Sequence, residues 1–288
     1  MNVNISRPRN RNYTLFILKI IVLVICLILV LFPLFSMIMT SFKTYDDLIQ
    51  NPTSILPTTW VWDNFLVVFK DFPFFRYLLN TLILEVCTVL GNTISAALVA
   101  YGFARFKCKL KKPIFYLMIA TMFIPGQVLQ IPLFEMYSTF GWFNTYLPMI
   151  LPSVLGGGIA NVFLMRQFME AIPEDIFEAA KIDGSNEFKT FIRVVVPLCK
   201  PIIITVAIFT FVATWNDFFS PLLYLTDENM YNLAYGLYIA FSKFTITGYT
   251  QWNIVSAANL LVTIPLIVLY FFCQKYFIEG ITIGAVKG

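Results

Sequence analysis

Glu178 to Pro201 reads EAAKIDGSNEFKTFIRVVVPLCKP, a charged and helix-patterned insert between two apolar runs. Just upstream, Pro173 followed by Glu174 and Asp175 predicts a helix start, because proline suits the first helical position and acids complement the positive end of the helix dipole. The helix runs through Glu178, Ala179 and Ala180 and stops at Gly184, where glycine can take the left-handed conformation that closes a helix. Ser185 is placed to cap a second helix. That helix puts Phe188, Phe191, Ile192 and Val195 at i, i+3, i+4 and i+7 on one apolar face, with Lys189, Thr190 and Arg193 elsewhere. Pro197 ends it, and Pro201 opens the next apolar segment. The insert is therefore a helical hairpin with a tight corner, suited either to a groove in another protein or to the surface of a bilayer. Its physics alone does not choose between them.

A third reading of the same residues fails. GSNEFKT, Gly184 to Thr190, mimics a phosphate-binding loop in having Lys189 and Thr190 at the right distance after a glycine. It lacks the second glycine before the lysine, and no strand precedes it, so nothing aims its amides at a phosphate.

The rest of the chain says what the hairpin is attached to. Its 288 residues are 59% hydrophobic, 17% aromatic and 12% charged, against roughly 45–50% apolar and 25% charged for soluble domains. That composition is a membrane protein's. The net charge of +4 could suggest nucleic acid, but the basic residues flank apolar runs instead of forming a stripe and read as topology signals. There is no histidine, and Cys26, Cys87, Cys108, Cys199 and Cys273 lack metal-ligand spacing. Catalysis, a resident metal and a bound cofactor are not expected in this chain.

A helix needs roughly 20 mostly apolar residues to cross a hydrocarbon core, and six segments qualify: Thr14 to Met39, Tyr77 to Phe103, Ile114 to Leu133, Leu147 to Met165, Ile202 to Leu225 and Ile254 to Phe277. The first is too long for a secretory signal and no small-residue cleavage site follows it, so it reads as a retained span. Residues 1–13 form a tail and 14–288 the membrane domain, with the hairpin loop at about 166–200. An even number of spans puts both termini on one side. Arg7, Arg9 and Arg11, the loop RFKCKLKK (Arg105 to Lys112), the hairpin with its flanks (Arg166, Lys181, Lys189, Arg193, Lys200) and Lys275 and Lys287 would share that side, leaving Lys43, Lys70, Arg76 and Lys243 opposite. The positive-inside rule makes the crowded side cytoplasmic, and no cysteine is left in an outer loop to form a disulfide. Gly91, Ser95, Ala96, Ala100 and Ala104 are spaced for close helix packing. Gly156, Gly157 and Gly158, with several prolines nearby, predict irregular backbone in the fourth span.

Glu178, Ala179, Ala180, then Gly184, then Val194, Val196 and Pro197 fit the E-A-A, three residues, G, nine residues, I-x-L-P signature of permease subunits of ABC importers, with valine at both departures. TWNDFFSPLLYL (Thr214 to Leu225) and KYFIEGITIGAVKG (Lys275 to Gly288) further resemble the MalG-like carbohydrate-importer permeases, and the likeness runs from SFK (Ser41 to Lys43) to the end of the chain. The resemblance implies an all-α integral membrane fold of six spans in a prokaryotic cell membrane. It implies a heterodimer with a second permease, two ATPase subunits carrying ATP and Mg, and an extracytoplasmic solute-binding protein. In such a complex the hairpin is a coupling element seated in the ATPase, through Glu178, Ala179, Ala180, Asp183, Gly184, Phe188, Phe191, Val194 and Pro197. Lys287 and its neighbours could also touch the ATPase.

Polar groups inside spans are functional candidates: Glu85, Gln127, Gln130, Asn161, Asn216, Asp217 and Asn259. Trp215, Asn216, Asp217 and Tyr224 combine aromatic faces with hydrogen-bonding groups, as sugar recognition requires. Buried amides also hold bundles together, so Trp215 could be packing and Glu85 a partner of a neighbouring helix. Trp60, Trp62 and Phe65, with Asp46, Asp47 and Asp63, would anchor the outer interface, receive the binding protein, or both. The rival from another class is a secondary carrier using Glu85 or Asp217 for ion coupling, although no inverted repeat is evident. A scaffold without transport is the third reading.

Overall fold

The computed structural model describes residues 13–243, 245–246 and 249–285; Arg7, Arg9, Arg11 and Lys287, to which topology and interfacial roles were assigned above, lie outside the described residues. In chain order the helices are α1 (Tyr13–Ser41), α2 (Tyr45–Gln50), α3 (Asp63–Asp71), α4 (Phe74–Arg105), α5 (Lys111–Thr121), α6 (Gly126–Thr139), α7 (Leu147–Gly156), α8 (Ile159–Glu170), α9 (Glu174–Ile182), α10 (Glu187–Thr190), α11 (Val196–Leu198), α12 (Lys200–Trp215), α13 (Phe219–Tyr224), α14 (Leu233–Lys243) and α15 (Trp252–Ala285). A π turn covers Phe191–Val195, and Thr245–Ile246 pairs antiparallel with Tyr249–Thr250.

Four stretches are long and apolar enough to cross a bilayer: Leu15–Ser41, Phe74–Arg105, Leu147–Glu170 and Trp252–Lys275. They correspond to the first, second, fourth and sixth expected spans. The other two differ from expectation. The third is broken, with α5 and α6 meeting at 98°, because Pro125 drives the residue before it out of helical conformation. The fifth expected span, Ile202 to Leu225, ends at Trp215; Asn216 to Phe218 break it, and α13 is a separate short helix. Before it, the segment Glu187–Leu198 turns by 80° into α12.

The described chain divides into two compact units, one made of the residues up to Val68 with the segment ending at Leu260, the other of Phe69–Lys243 with the chain from Leu261. In the first, α1 exposes apolar side chains all round, which suits a lipid-facing span. The turn after it is held by Asn64, whose amide donates to the carbonyls of Ser41 (2.8 Å) and Lys43 (2.9 Å) and accepts from Asn253 (3.0 Å). Phe42 sits among Trp60, Trp62 and Phe65. The Asp47 carboxylate accepts from the Thr58 amide, which holds its pKa below the usual range. Asp47 is thus spent on the loop's own backbone.

The second unit is organised on α4, against which α7, α8 and α12 pack. The small-residue spacing is what admits them. A Cβ on Gly91 would fall 2.3 Å from Val154 Cγ2. Gly157, left-handed at φ +65°, would put one 2.3 Å from the Ala96 amide nitrogen. The irregular backbone expected at Gly156 to Gly158 is this close crossing, and α7 and α8 end and begin around it. Ala96, Ala97, Ala100 and Tyr101 of α4 then form a continuous core with Val162, Met165, Met169, Phe177, Phe191, Val195 and Val206.

Candidate functional site

The hairpin forms where the sequence places it. Glu174 and Asp175 occupy the first turn of α9. At its end Gly184 adopts φ +74°, while the Ser185 amide reaches the Ala180 carbonyl (3.0 Å) and the Gly184 amide that of Lys181 (3.0 Å), the paired bonds of a glycine-terminated helix. No atom lies within 4 Å of where a Gly184 Cβ would be, so glycine is needed here for its backbone and not for space. The cap of the second helix is Asn186, one residue later than expected: its side chain accepts from the Lys189 amide at 2.8 Å.

The predicted apolar face is divided. Phe191 and Val195 are buried in the core, whereas Phe188 and Ile192 are 66% and 48% exposed. The division follows helical spacing: Phe188 and Ile192 lie on one side of the predicted face and Phe191 and Val195 on the other. Pro197 has no amide to give to Arg193, and the Val196 amide bonds to the Phe191 carbonyl in a widened turn. Two surfaces result. The inner one carries Phe177, Ala180, Phe191 and Val195; the outer one carries Glu178, Ala179, Asp183, Phe188 and Ile192, together with Ile182 at 86% exposure. Val194 is half-buried and Pro197 exposed. Glu178 makes no ion pair among the described residues.

Sequence reasoning missed what fixes the inner surface. The Tyr101 hydroxyl donates to Glu187 Oε2 at 2.6 Å, and the Tyr101 and Phe191 rings meet at 5.1 Å. One turn on, Arg105 holds Glu174 with both terminal nitrogens (2.5 and 3.1 Å) and lies 3.5 Å over the Phe177 ring. That hydrogen-bonded guanidinium holds the Glu174 carboxyl below its ordinary pKa. The last two turns of α4 thus grip both helices of the hairpin.

Farther along α4 lies an open cleft of ≈ 360 Å³ whose polar walls are Thr88, Ser153, Thr214, Asp217, Ser220 and Asn232, completed by Leu84, Pro148, Met149 and Ala213. Hydroxyls, an amide and one carboxylate beside apolar surface can hydrogen-bond a hydroxylated solute while packing its non-polar faces. Of the predicted pathway residues, the structure brings Asp217 to this cleft. One Asp217 oxygen also accepts from the amides of Phe219 (3.1 Å) and Ser220 (3.0 Å), which fixes the break after α12. Trp215 is fully buried, stacked on Phe211 and bonded to the Val262 carbonyl at 3.2 Å. Tyr224 packs against Tyr137 and Phe134. Asn216 bonds to the carbonyl of Val212 at 2.7 Å. Asn161 donates to Asn92 Oδ1 (2.7 Å), which Thr210 also reaches (3.3 Å). None of these four lines the cleft. Glu85 does not line it either: it is 2% exposed, and neither carboxyl oxygen has a hydrogen-bond partner among the described residues. Thr88, Ser153 and Ser220 carried no sequence signal, since a hydroxyl in a span is cheap to satisfy on its own helix.

With this geometry in place, the relatives are informative. The family model of the binding-protein-dependent transport system inner membrane component matches residues 91–283, a stretch containing the hairpin and most of the cleft. The probable ABC transporter permease protein YurM of Bacillus subtilis (strain 168) is 31% identical over 283 residues, covering 98% of this chain and 92% of that protein. The melibiose/raffinose/stachyose import permease protein MelC of the same organism is 33% identical over 257 residues, covering 89% and 91%. The crystal structure of a bacterial ABC transporter involved in the import of the acidic polysaccharide alginate contains a chain with the same fold, at a TM-score of 0.82 and 22% identity, covering 94% of this chain and all of that one. The ion-coupled carrier and the inert scaffold are set aside, and the chain belongs to the binding-protein-dependent transport system inner membrane components, as a permease subunit of an ABC transporter.

Proposed function

We propose that this permease forms half of the pathway of an ATP-driven importer of sugars or oligosaccharides, with the hairpin as its coupling element. The observation that carries the coupling role is the two-sided hairpin: an inner surface fixed to α4, and an outer surface offering Glu178, Asp183, Ile182 and Phe188. Exposed large apolar side chains beside carboxylates suit a protein cleft with a basic rim, where the apolar groups are desolvated and the acids paired. The partners are a second permease, two ATPase subunits that bind ATP and Mg, and an extracytoplasmic solute-binding protein. Both termini and the hairpin lie in the cytoplasm. The sugar reading draws on relatives named for oligosaccharide and polysaccharide import and on a cleft rich in hydroxyl and amide groups.

The mechanism is a population shift. ATP binding closes the motor subunits, the docked hairpin follows, and α4 carries the motion to the cleft between α4, α7 and α12. Trp215, Asn216, Tyr224 and Asn161 do not line the cleft and act by supporting the helices that wall it, while Asp217 faces the solute. The test is Glu178→Lys. ATPase binding or uptake per ATP hydrolysed should fall severalfold with membrane insertion unchanged; wild-type uptake would remove Glu178 from the coupling role.

A further inference from the structure

Between α4 and α5 the chain reads RFKCKLKK, Arg105 to Lys112, with five basic residues and no acid. Some of these charges are committed. Arg105 is bonded to Glu174, Lys107 lies within electrostatic reach of the same carboxylate, and Lys111 donates to the Ala104 carbonyl at 3.2 Å. Lys109 and Lys112 are exposed and form no ion pair among the described residues.

Beside this loop an open slot of ≈ 280 Å³ runs between the end of α4 and the start of α5, walled by Val99, Gly102, Phe103, Phe106 and Ile114, with Lys111 among its lining residues. Both helices belong to stretches apolar enough for a bilayer. The slot therefore opens where hydrocarbon gives way to headgroups. It is almost wholly apolar and bordered by charge of one sign.

An anionic phospholipid has that polarity, an apolar chain joined to a phosphate, and clusters of lysine and arginine at a span's end attract anionic headgroups. We propose that this end of α4 and α5 binds one anionic phospholipid, an acyl chain in the slot and its phosphate against Lys109, Lys111 and Lys112. The same two turns of α4 hold the hairpin through Tyr101 and Arg105, so the lipid would brace the part of the bundle that the motor moves.

Two variants separate headgroup from chain. Lys109→Gln with Lys112→Gln removes the two uncommitted cations. Gly102→Leu fills the slot: a Cβ at Gly102 meets nothing within 4 Å, and leucine favours the helix over glycine. The transporter, purified with its subunits, is equilibrated with phosphatidylglycerol or phosphatidylcholine in detergent, and retained lipid is read by native mass spectrometry. Phosphatidylglycerol should be retained in preference, about fivefold less tightly for each lysine removed and roughly 25-fold less for the double variant. Gly102→Leu should abolish the preference with the complex intact, and inorganic phosphate should not compete. Equal retention of both lipids by the wild type, or retention unchanged in the variants, would overturn the proposal. Loss of a protein subunit from Gly102→Leu in place of the lipid would also overturn it, by marking the slot as a subunit contact.

Discussion

The hydrogen bond from Tyr101 to Glu187 spans 86 residues of sequence, and its two ends stand in different surroundings. Tyr101 is 5% exposed, while Glu187 is open to water. Removing the hydroxyl in Tyr101→Phe leaves a carboxylate that water can resolvate, so the loss is the net value of one hydrogen bond to a charged acceptor, about 1.5 kcal/mol. Glu187→Ala instead leaves a buried hydroxyl whose remaining acceptor is the residue-187 carbonyl at 3.5 Å, and an unsatisfied buried group costs about 2 kcal/mol. Local opening of the hairpin should therefore increase about twelvefold in the first variant and about thirtyfold in the second, while the double variant falls short of the sum because the residues are in contact. Amide hydrogen exchange in the assembled transporter reads this directly: amides from Glu174 to Val195 should speed up, and those of α7 and α8 should not. A larger effect from Tyr101→Phe than from Glu187→Ala would refute the reasoning. So would acceleration spread evenly through the bundle, which would mean the bond supports the fold as a whole.

Gly184→Val should destabilise the hairpin by about 2 kcal/mol, since a β-branched residue resists φ +74°, and uptake should fall while the protein still inserts; unchanged transport would contradict the corner's role. Gly157→Ala should be far more damaging, about 3–5 kcal/mol from strain at positive φ and a Cβ driven into the α4 backbone, visible as loss of folded protein on size exclusion. Glu85→Met should leave the melting temperature unchanged or raise it, because a buried carboxyl with no hydrogen-bond partner among the described residues costs free energy to bury; a clear fall would show that Glu85 has a partner in the assembled state. Glu174 has its pKa lowered by Arg105, so the anchor's stabilisation is fully present above the ordinary carboxylate pKa and disappears as pH falls through the lowered value. The stability difference between wild type and Glu174→Gln should be constant near neutrality and shrink below about pH 4.

What the sequence made legible was mostly local. Proline before two acids, a glycine followed by a capping residue, and the apolar runs are written within one or two turns, and the helices begin and end close to them. What escaped it depends on partners far along the chain. Tyr101 and Arg105 looked like an ordinary span residue and a topology charge, because Glu187 and Glu174 lie 86 and 69 residues away. The apolar face of the second helix was legible, but which side of it is covered depends on Tyr101, against whose ring Phe191 packs while Phe188 stays exposed. Trp215 and Asn161 resembled solute-binding groups by residue type, but their bonds to Val262 and Asn92 place them in the packing. The polar wall of the cleft is mostly threonine and serine, residues frequent enough in apolar helices that no pattern marks them.

The central claim is that the outer surface of the hairpin seats a motor subunit, and cysteine cross-linking in native membranes tests it most directly. Cysteines replacing Ile182 and Phe188 on the outer surface, and Val195 on the inner, would be introduced singly into a chain lacking its own five and treated with a short bifunctional reagent. Positions 182 and 188 should join to an ATPase subunit, with a yield that changes on adding ATP, while position 195 should not. No adduct at 182 or 188, or adducts to lipid-reactive probes alone, would place the hairpin on the bilayer surface and remove the coupling role.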